Sequence, residues 1–415
     1  MAEQRPTLLS LDEVLSRLLQ VASERRIADS DTVSSFDALG RVLARGVHSS
    51  LDVPPADNSS MDGYALRAAD VPAAGALLPV SQRIPAGVVG QPLAAGTAAR
   101  IFTGAQVPAG ADAVVMQEQC EAVAGEALGA VRVNTVPASG QWIRRCGEDV
   151  MHGAEVLAAG SRLTPQALGL AASVGAATLA VCRRPRVALF STGDELVMPG
   201  QPLKPGAIYN SNRFTLRGLL QAAGCEVVDL GIVPDQLDAT REALRRAAAG
   251  NDLILTSGGV SVGEEDHLKP AVQAEGWLEA WQVAMKPGKP LAFGAVKREG
   301  GETLFMGLPG NPVSSFVTFL LAVAPVLRTL QACPAALPQA VAVRADFDWP
   351  QPDKRREFLR ARFNAEGGVE LFPNQSSGVL TSAVWADGLV DNPPSQAIRR
   401  GDTVRLLLLT SLIGG

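Results

Sequence analysis

Apolar residues recur with helical spacing at the start of the chain, between Leu11 and Leu19. Ser10 and Glu13 form a capping-box pattern at this point, which predicts that an amphipathic helix begins here. The pattern changes at Pro54 and Pro55, because two prolines fix the backbone and remove hydrogen-bond donors. From about residue 49 to 149 the apolar runs are short and separated by Gly and Pro, which favours a small β domain.

A helical pattern returns after this β segment. Thr164 followed by Pro165 is typical of an N-cap and the first residue of a helix, which we expect to run towards Gly175. We therefore predict a split helical domain at residues 7–48 and 150–182, interrupted by an inserted β domain at residues 49–149.

Residues 183–334 alternate continuous apolar strands with helices, which is typical of a mostly parallel sheet covered on both faces. The predicted strands are Arg186–Phe190, Glu226–Leu230 and Asp252–Leu255, and the predicted helices are Ser211–Ala223 and Asp238–Ala249. Residues 335–415 return to β runs, at Val341–Phe347, Phe358–Phe363, Val369–Phe372 and Val404–Leu409. The predicted fold class is a multidomain α/β plus β protein.

Composition narrows the class of protein. Hydrophobic residues make up 47% of the 415 residues, which is enough for several cores, and the net charge of -5 excludes a global positive field for nucleic acid or an acidic membrane. Five cysteines without a CxxC pair indicate free thiols in a reducing compartment. No signal-peptide pattern opens the chain, and the apolar runs Leu168–Cys182 and Phe316–Leu327 are shorter than the roughly 20 residues of a membrane span. We expect a cytoplasmic protein.

Four polar, glycine-rich loops follow predicted strands in the α/β segment. They are Ser191–Glu195, Thr256–Asp266, Lys286–Lys289 and Leu308–Pro312. In open parallel sheets, ligands bind beyond the carboxyl ends of the strands, so these loops are predicted to converge on one crevice.

The loops carry groups that suit an anion and a metal ion. Gly258 and Gly259 let backbone amides approach a phosphate, and Lys286 and Lys289 can direct two ammonium groups towards it. Hard oxygen ligands of the kind that Mg²⁺ uses beside phosphate oxygens are available at Asp194, Glu195, Asp235 and Asp266. The residues alone indicate a phosphorylated ligand with a metal ion, although each loop taken singly could be an ordinary turn.

Other motifs leave the chemistry open. No loop matches the GxxxxGK[ST] or GxGxxG phosphate-binding patterns, and the three histidines form no HExxH or Ser-His-Asp arrangement. The polar runs Asp57–Tyr64, Thr103–Ala105 and Gly147–Asp149 could be turns or part of a site. Arg355, Arg356 and Arg360 could recognise an oxyanion or simply be solvated.

Taken together, these strings resemble the MoeA family of molybdopterin molybdenumtransferases, to which the C-terminal domain of gephyrin is related. The resemblance runs in family order from about residue 8 to 410. It rests on Asp57–Tyr64, Thr103–Pro108, Gly147–Asp149, Ser191–Leu196, Ile208–Asn212, Thr256–Asp266, Met285–Pro290, Gly307–Ser315 and Arg356–Arg362.

The resemblance implies four structural parts: the split helical domain, the inserted β domain, a three-layer α/β molybdopterin-binding-like domain at residues 183–334 and a C-terminal β-barrel at residues 335–415. It also implies a homodimer in which the α/β domain of one chain and the inserted domain of the other share an active site. The implied reaction inserts molybdate into adenylylated molybdopterin and releases AMP, with Mg²⁺ as the helper ion.

Residue roles follow from the two arguments together. Glu195, Asp235 and Asp266 would hold the metal ion and the pyrophosphate. Lys286, Lys289, Arg360 and Ser377 would attract molybdate or phosphate oxygens. The substrate would also contact Ser257, Gly258, Gly259, Ser261, Gly310 and Asn311, in loops shaped by Pro309 and Pro312. Asp62, Thr103 and Asp149 would come from the partner subunit.

Three positions depart from the family pattern, and several alternatives stay open. Ser60 replaces an alanine, His267 an aromatic residue and Ser376 a glycine. One alternative function is a molybdopterin adenylyltransferase, whose single domain resembles residues 183–334, and another is a gephyrin-like scaffold. The choice between molybdate and tungstate, and a hand-over of substrate from the adenylyltransferase, stay open as well.

Overall fold

The structure, a computed structural model, describes residues 8–259, 267–333 and 339–414. The elements of the first 182 residues are, in chain order, β1 (Leu8–Leu9), α1 (Leu11–Glu24), β2 (Ser30–Ser34), β3 (Val47–His48), β4 (Asn58–Ser59), β5 (Gly63–Leu66), β6 (Ala76–Ile84), β7 (Ala98–Ile101), β8 (Ala113–Met116), β9 (Cys120–Val123), β10 (Ala130–Val133), β11 (Ile143–Arg144), β12 (Glu155–Leu157), α2 (Pro165–Ser173) and β13 (Thr178–Cys182).

The predicted helix starts of α1 and α2 are confirmed. The Ser10 hydroxyl accepts from the Glu13 amide, and the Glu13 carboxylate accepts from the Ser10 amide at 2.8 Å, which completes the capping box. The Thr164 hydroxyl accepts from the Ala167 amide, with Pro165 in the first turn.

The inserted segment forms a six-stranded sheet in the order β8-β5-β7-β6-β10-β9, beside the pair β4-β11. The segments on either side of it lie next to each other, because β2 pairs with β13 and β3 with β12. We expected these flanks to be helical, yet between β2 and β13 the flanks contain mainly paired strands, with α2 as their α-helix in the described residues. Gly175, at a φ of 80°, turns the chain out of α2 towards β13.

The α/β segment continues the numbering. Its elements are β14 (Arg186–Thr192), β15 (Leu196–Val197), β16 (Ile208–Tyr209), α3 (Ser211–Ala222), β17 (Glu226–Val233), α4 (Leu237–Ala248), β18 (Leu253–Ser257), α5 (Leu268–Glu275), β19 (Gly276–Val283), β20 (Met285–Lys286), β21 (Pro290–Arg298), β22 (Gly301–Leu308), α6 (Pro312–Thr318) and α7 (Ala324–Leu330).

Seven strands form the central sheet, in the order β1-β19-β21-β22-β18-β14-β17. Strands β17, β14, β18 and β22 are parallel, whereas β21 is antiparallel to both β22 and β19. The sheet is therefore mixed, and β19 runs in the same direction as β22. This direction brings the carboxyl ends of β14, β18, β19 and β22 to one edge, where the four loops begin.

Helices cover both faces of this sheet. One face packs on α1, α3, α6 and α7 and the other on α4 and α5. Helix α1, which we had assigned to the split helical domain, lies in this core through Leu11, Val14 and Leu18, and β1 pairs with β19. Its apolar face is buried by the α/β segment rather than by its sequence neighbours.

Helices α6 and α7 join through a π-helical turn at Phe319–Val323. The resulting helix, Pro312–Leu330, is within the described residues the one whose length and composition would allow it to cross a membrane. However, 89% of that stretch is buried inside the protein, as expected for a core helix.

The last segment contains β23 (Val341–Arg344), β24 (Arg356–Phe363), β25 (Val369–Leu371), α8 (Thr381–Trp385), β26 (Gly388–Asn392), β27 (Thr403–Leu408) and α9 (Leu409–Gly414). Its sheet has the order β20-β24-β26-β27-β23, with β25 paired to β24. Strand β20 comes from the α/β segment and pairs in parallel with β24, with Lys286 opposite Glu357. The backbone of the Lys286–Lys289 loop is therefore hydrogen-bonded to the C-terminal sheet.

Candidate active site

The four loops border one cavity of about 780 Å³ at the carboxyl edge of the central sheet. Residues from the predicted set line it: Glu195, Ser257, Gly258, Lys286, Lys289, Pro309, Gly310, Asn311, Pro312 and Ser377. The expected convergence of the loops is thus observed, and the C-terminal segment joins them through Arg355, Gln375, Ser376 and Ser377.

Three strand ends approach closely at Gly258. Its amide donates to the Leu308 carbonyl at 3.1 Å, and its φ is 90°. A Cβ at this position would lie 3.1 Å from the Thr192 carbonyl oxygen. Glycine is required here because both the backbone conformation and the short distance disfavour a side chain. Gly259 follows with a φ of 65°, and Ser261 and Asp266 lie outside the described residues.

The two lysines of the Lys286–Lys289 loop have different surroundings. The Lys286 ammonium lies 3.3 Å from a Glu357 carboxylate oxygen and 3.5 Å from one of Asp353. Lys289 is exposed in the cavity and makes no ion pair with any residue in the described part of the chain. Lys289 is therefore the lysine whose charge is available to an anion.

Two asparagines that sequence reasoning did not select also line the cavity. Asn210 is 2% exposed; its side-chain oxygen accepts from the Arg213 amide, and its Nδ2 is buried without a hydrogen-bond partner among the described residues. Asn212 donates through Nδ2 to the Gly310 carbonyl at 2.7 Å. The signal was present in the sequence, because Ile208–Asn212 is a polar run directly before a helix.

The structure describes two of the three predicted metal-binding carboxylates, those of Glu195 and Asp235. Glu195 lines the cavity, whereas Asp235 is not among the lining residues and its amide lies 3.4 Å from an Asp194 carboxylate oxygen. Among residues 8–259, 267–333 and 339–414, no three His, Cys, Asp or Glu side chains converge in a metal-binding group. Asp266, the third predicted ligand, lies outside these ranges.

The structure places Arg360 away from the cavity lining. The side chain is 1% exposed and donates to the Ser382 hydroxyl and to the carbonyls of Phe358 and Ser376. Burial lowers the pKa of Arg360 to about 10. In this conformation the Arg360 donors hold the chain segment that carries Ser376, and direct oxyanion contact by Arg360 stays a prediction. Arg355 lines the cavity in its place.

Asp62, Thr103 and Asp149 belong to the inserted segment and are not among the residues that line the cavity. The Asp62 carboxylate accepts from the Thr103 amide at 2.8 Å and from its hydroxyl at 2.7 Å. The hydrogen bond from the Thr103 amide is the main cause that lowers the pKa of Asp62, and the hydrogen bond from the Thr103 hydroxyl is the second. Asp149 has an exposed side chain. Asp62 is thus a held, ionised carboxylate on the surface of the inserted sheet.

The charge of the cavity lining favours an anion. Among the lining residues that the structure describes, Lys286, Lys289 and Arg355 oppose one carboxylate, that of Glu195. Arg355 itself is held by Asp353 through two hydrogen bonds of 2.8 and 2.9 Å. The Arg355 side chain lowers the pKa of Asp353 well below its usual range.

This ion pair predicts an acid-sensitive contribution to stability. An aspartate whose pKa is lowered by folding stabilises the folded state above its unfolded pKa of about 3.9 and loses this contribution as the pH falls further. In Asp353→Asn, the melting temperature should be lower than that of the wild type near neutral pH. The difference should narrow below about pH 4. Glu126→Gln, in an exposed loop, is the control, and an unchanged difference down to pH 3 (about one unit below that value) would contradict the assignment.

Comparisons with known proteins agree with this organisation. Family models match in chain order: the MoeA N-terminal region (domain I and II) at residues 9–175, a probable molybdopterin binding domain at residues 188–329 and the MoeA C-terminal region (domain IV) at residues 342–409.

Curated relatives and a solved structure extend the match over most of the chain. The molybdopterin molybdenumtransferase of Haemophilus influenzae is 41% identical over 324 residues, 78% of each chain. The Nostoc enzyme of the same name is 37% identical over 92% of this chain and 89% of its own. A crystal structure of the molybdopterin biosynthesis MoeA protein of Pyrococcus horikoshii is 30% identical, with a TM-score of 0.83 over 97% of this chain and 100% of that one. With three matching regions in order and relatives at this identity, the chain belongs to the MoeA family.

Proposed function

We propose that this protein is a molybdopterin molybdenumtransferase, which inserts molybdate into adenylylated molybdopterin and releases AMP as the final step of molybdenum cofactor biosynthesis. The observation that carries the proposal is the cavity of about 780 Å³. Glycines at the strand ends and three cationic side chains, Lys286, Lys289 and Arg355, line it together. The relatives described above carry this enzyme name over 78% or more of the chain. They favour it over the alternatives of an adenylyltransferase or a scaffold.

The cavity's own groups suit positioning and charge neutralisation. The Gly310 backbone amide can approach a phosphate oxygen, and the Asn210 Nδ2 is a buried donor for an acceptor on the substrate. Lys289 supplies a charge to molybdate or phosphate oxygens. A water molecule supplies the oxygen that bonds to phosphorus as the adenylyl phosphoanhydride bond breaks, and AMP leaves with its phosphate. The two dithiolene thiols bind the molybdenum in exchange for one oxo ligand of molybdate, which leaves as water with the two thiol protons. No covalent enzyme intermediate is needed, because fixed charges and geometry supply the catalysis.

Mg²⁺ is the ion that we propose for this site. It typically uses one or two carboxylates together with substrate phosphate oxygens and water, and Glu195 in the lining fits that demand. We place Asp266 as the second ligand and Asp235 as a residue that orients the Glu195 loop. When bound, the ion would neutralise charge on the pyrophosphate.

The finer organisation is also a proposal. We propose a cytoplasmic homodimer in which Asp62, Thr103 and Asp149 of one subunit complete the cavity of the other. The support is the held Asp62 carboxylate, which faces no cavity residue of its own chain among those described. We further propose that the C-terminal sheet closes as a barrel and that an adenylyltransferase hands over the substrate.

The direct test is to mix purified protein with adenylylated molybdopterin, Mg²⁺ and molybdate and to measure AMP. Release that depends on molybdate, with a product that activates an apo-molybdoenzyme, is the expected result, and Asp266→Ala should abolish it. ATP consumption with free molybdopterin would favour the adenylyltransferase, and peptide binding without AMP release would favour the scaffold.

Shared active sites predict that two inactive variants restore each other. Asp62→Asn and Lys289→Met should each be inactive, but co-refolded subunits should recover about a quarter of wild-type AMP release, because half of the dimers are mixed and hold one intact site. A mixture of Lys289→Met with Lys286→Met, which damages the same half of the site twice, is the matched control and should release no more AMP than the two variants do separately. Equal activity of the two mixtures would contradict the shared site.

A further inference from the structure

A fully buried carboxylate lies directly behind the Lys286–Lys289 loop. Glu357, in β24, is 0% exposed. Its Oε1 faces the Lys286 ammonium at 3.3 Å. Its Oε2 accepts from Trp349 Nε1 at 2.8 Å, from the Asp353 amide at 3.1 Å and from Asn392 Nδ2 at 3.4 Å. The two oxygens therefore have separate partners: one belongs to the C-terminal segment and one to the cavity lysine.

This division fixes the direction of the carboxylate. A buried charge is costly unless it is paired and hydrogen-bonded. Three donors from the C-terminal segment hold Oε2, so Oε1 cannot turn away from Lys286. The backbone gives the same register, because Lys286 pairs with Glu357 between β20 and β24.

Asp353 extends the arrangement to a second cavity cation. The Asp353 amide donates to Glu357. The Asp353 carboxylate accepts from the Arg355 guanidinium at 2.8 Å and lies 3.5 Å from the Lys286 ammonium. Lys286 and Arg355 both line the cavity. The buried Glu357 carboxylate therefore positions both cations, Lys286 directly and Arg355 through Asp353.

The two carboxylates also limit what Lys286 can offer a ligand. An ammonium group has three N–H donors. If Glu357 and Asp353 each accept one, a single directed donor is left for the cavity. Lys289 lacks such partners among the described residues and can follow the anion. The loop thus combines one oriented lysine and one adjustable lysine.

We propose that Glu357 is a positioning residue of the active site, which aims the Lys286 donor and the Arg355 guanidinium at one oxyanion of the substrate. The proposal rests on the proposed function for the identity of that oxyanion, molybdate or the adenylyl phosphate. It makes the C-terminal sheet a working part of the cavity, because the donors that orient Glu357 come from that segment.

The test uses the full-length Glu357→Gln protein. The amide oxygen can still accept from Trp349 and Asn392, whereas the amide nitrogen cannot accept from Lys286. We expect kcat/KM for molybdate-dependent AMP release to fall by between about 10- and 100-fold, because a small displacement of a positioned donor has effects of this size. In a Lys286→Met background the same substitution should produce little further loss, since its effect passes through the lysine.

Trp349→Phe is the matched control. It removes one of the three donors to Glu357 Oε2, while the Asp353 amide and Asn392 still orient the carboxylate towards Lys286, so it should lower the melting temperature with a much smaller change in kcat/KM. Glu357→Asp keeps the charge one methylene further from the lysine and should give an intermediate loss that also disappears in Lys286→Met. This variant serves if Glu357→Gln does not fold.

The outcomes separate this proposal from the proposed function. Wild-type activity in Glu357→Gln, an equal loss in the Lys286→Met background or an equal loss in Trp349→Phe would each overturn the positioning role. If the wild-type protein itself releases no AMP, the proposed function fails. Calorimetric binding of molybdate and of AMP to the same variants then decides the role of Glu357: weaker binding that depends on Lys286 supports it, and unchanged binding overturns it.

Discussion

Replacing Lys289 by methionine is expected to lower molybdate-dependent AMP release by about 100-fold or more, because removal of one preorganised donor to a developing charge has effects of this size. Lys289 lines the cavity and has no carboxylate partner in the described ranges, in contrast to Lys286. Its charge is therefore the one that an anion would meet.

Lys297→Met is the matched control, because Lys297 is an exposed lysine near the other end of the following strand β21. It should retain wild-type kcat/KM and affinity for molybdate. The Lys289 effect should also weaken as the salt concentration rises, since salt screens an exposed charge. Equal activities of the two variants would remove Lys289 from the site.

Replacing Gly288 by alanine should destabilise the protein by about 3 kcal/mol, from overpacking and from an unfavourable backbone conformation. Gly288 has a φ of 110°, and a Cβ there would lie 2.6 Å from the Thr318 hydroxyl and 2.7 Å from the Met285 methyl carbon. Thr318 is fully buried and cannot move away easily. Because Lys286 and Lys289 flank this residue, activity should fall even at temperatures where the variant is folded.

Urea unfolding measures this prediction, with Gly300→Ala as the control. Gly300 has a φ of 74° but nothing within 4 Å of its Cβ position. Its replacement tests the backbone conformation alone and should cost about 1 kcal/mol. Similar losses for both variants would show that the contact with Thr318 has no effect.

Sequence patterns predicted correctly the elements that depend on residues close together in the chain. The capping box of α1, the N-cap of α2 and the strands β14, β17 and β18 could be predicted because caps and continuous apolar runs are short-range signals. No bounds were predicted for β19 or β21, since short apolar runs do not separate helix from strand and the pairing partner is distant. The packing of α1 in the α/β core likewise depends on partners that are distant in sequence.

In the site, backbone requirements were more predictable than side-chain roles. Gly258 and the Lys286–Lys289 loop were selected because their chemistry is visible in the sequence. Arg360 and Glu357 show the opposite case, because a charged residue in a strand gives no sign of whether it is exposed or buried against partners from other elements. Asn210 was missed because the burial of its Nδ2, without a partner among the described residues, is apparent only from the fold.

The position of α1 in the α/β core has a consequence for synthesis on the ribosome. Helix α1 packs against α7, and Arg25 pairs with Glu302, a separation of 277 residues. At about 5–20 residues per second, translation of the intervening chain takes roughly 15–60 s, during which α1 lacks its contact with α7. The inserted sheet, whose contacts are all closer in sequence, can be complete before then. Helix α1 is thus synthesised well before the last helices of the core in which it is buried.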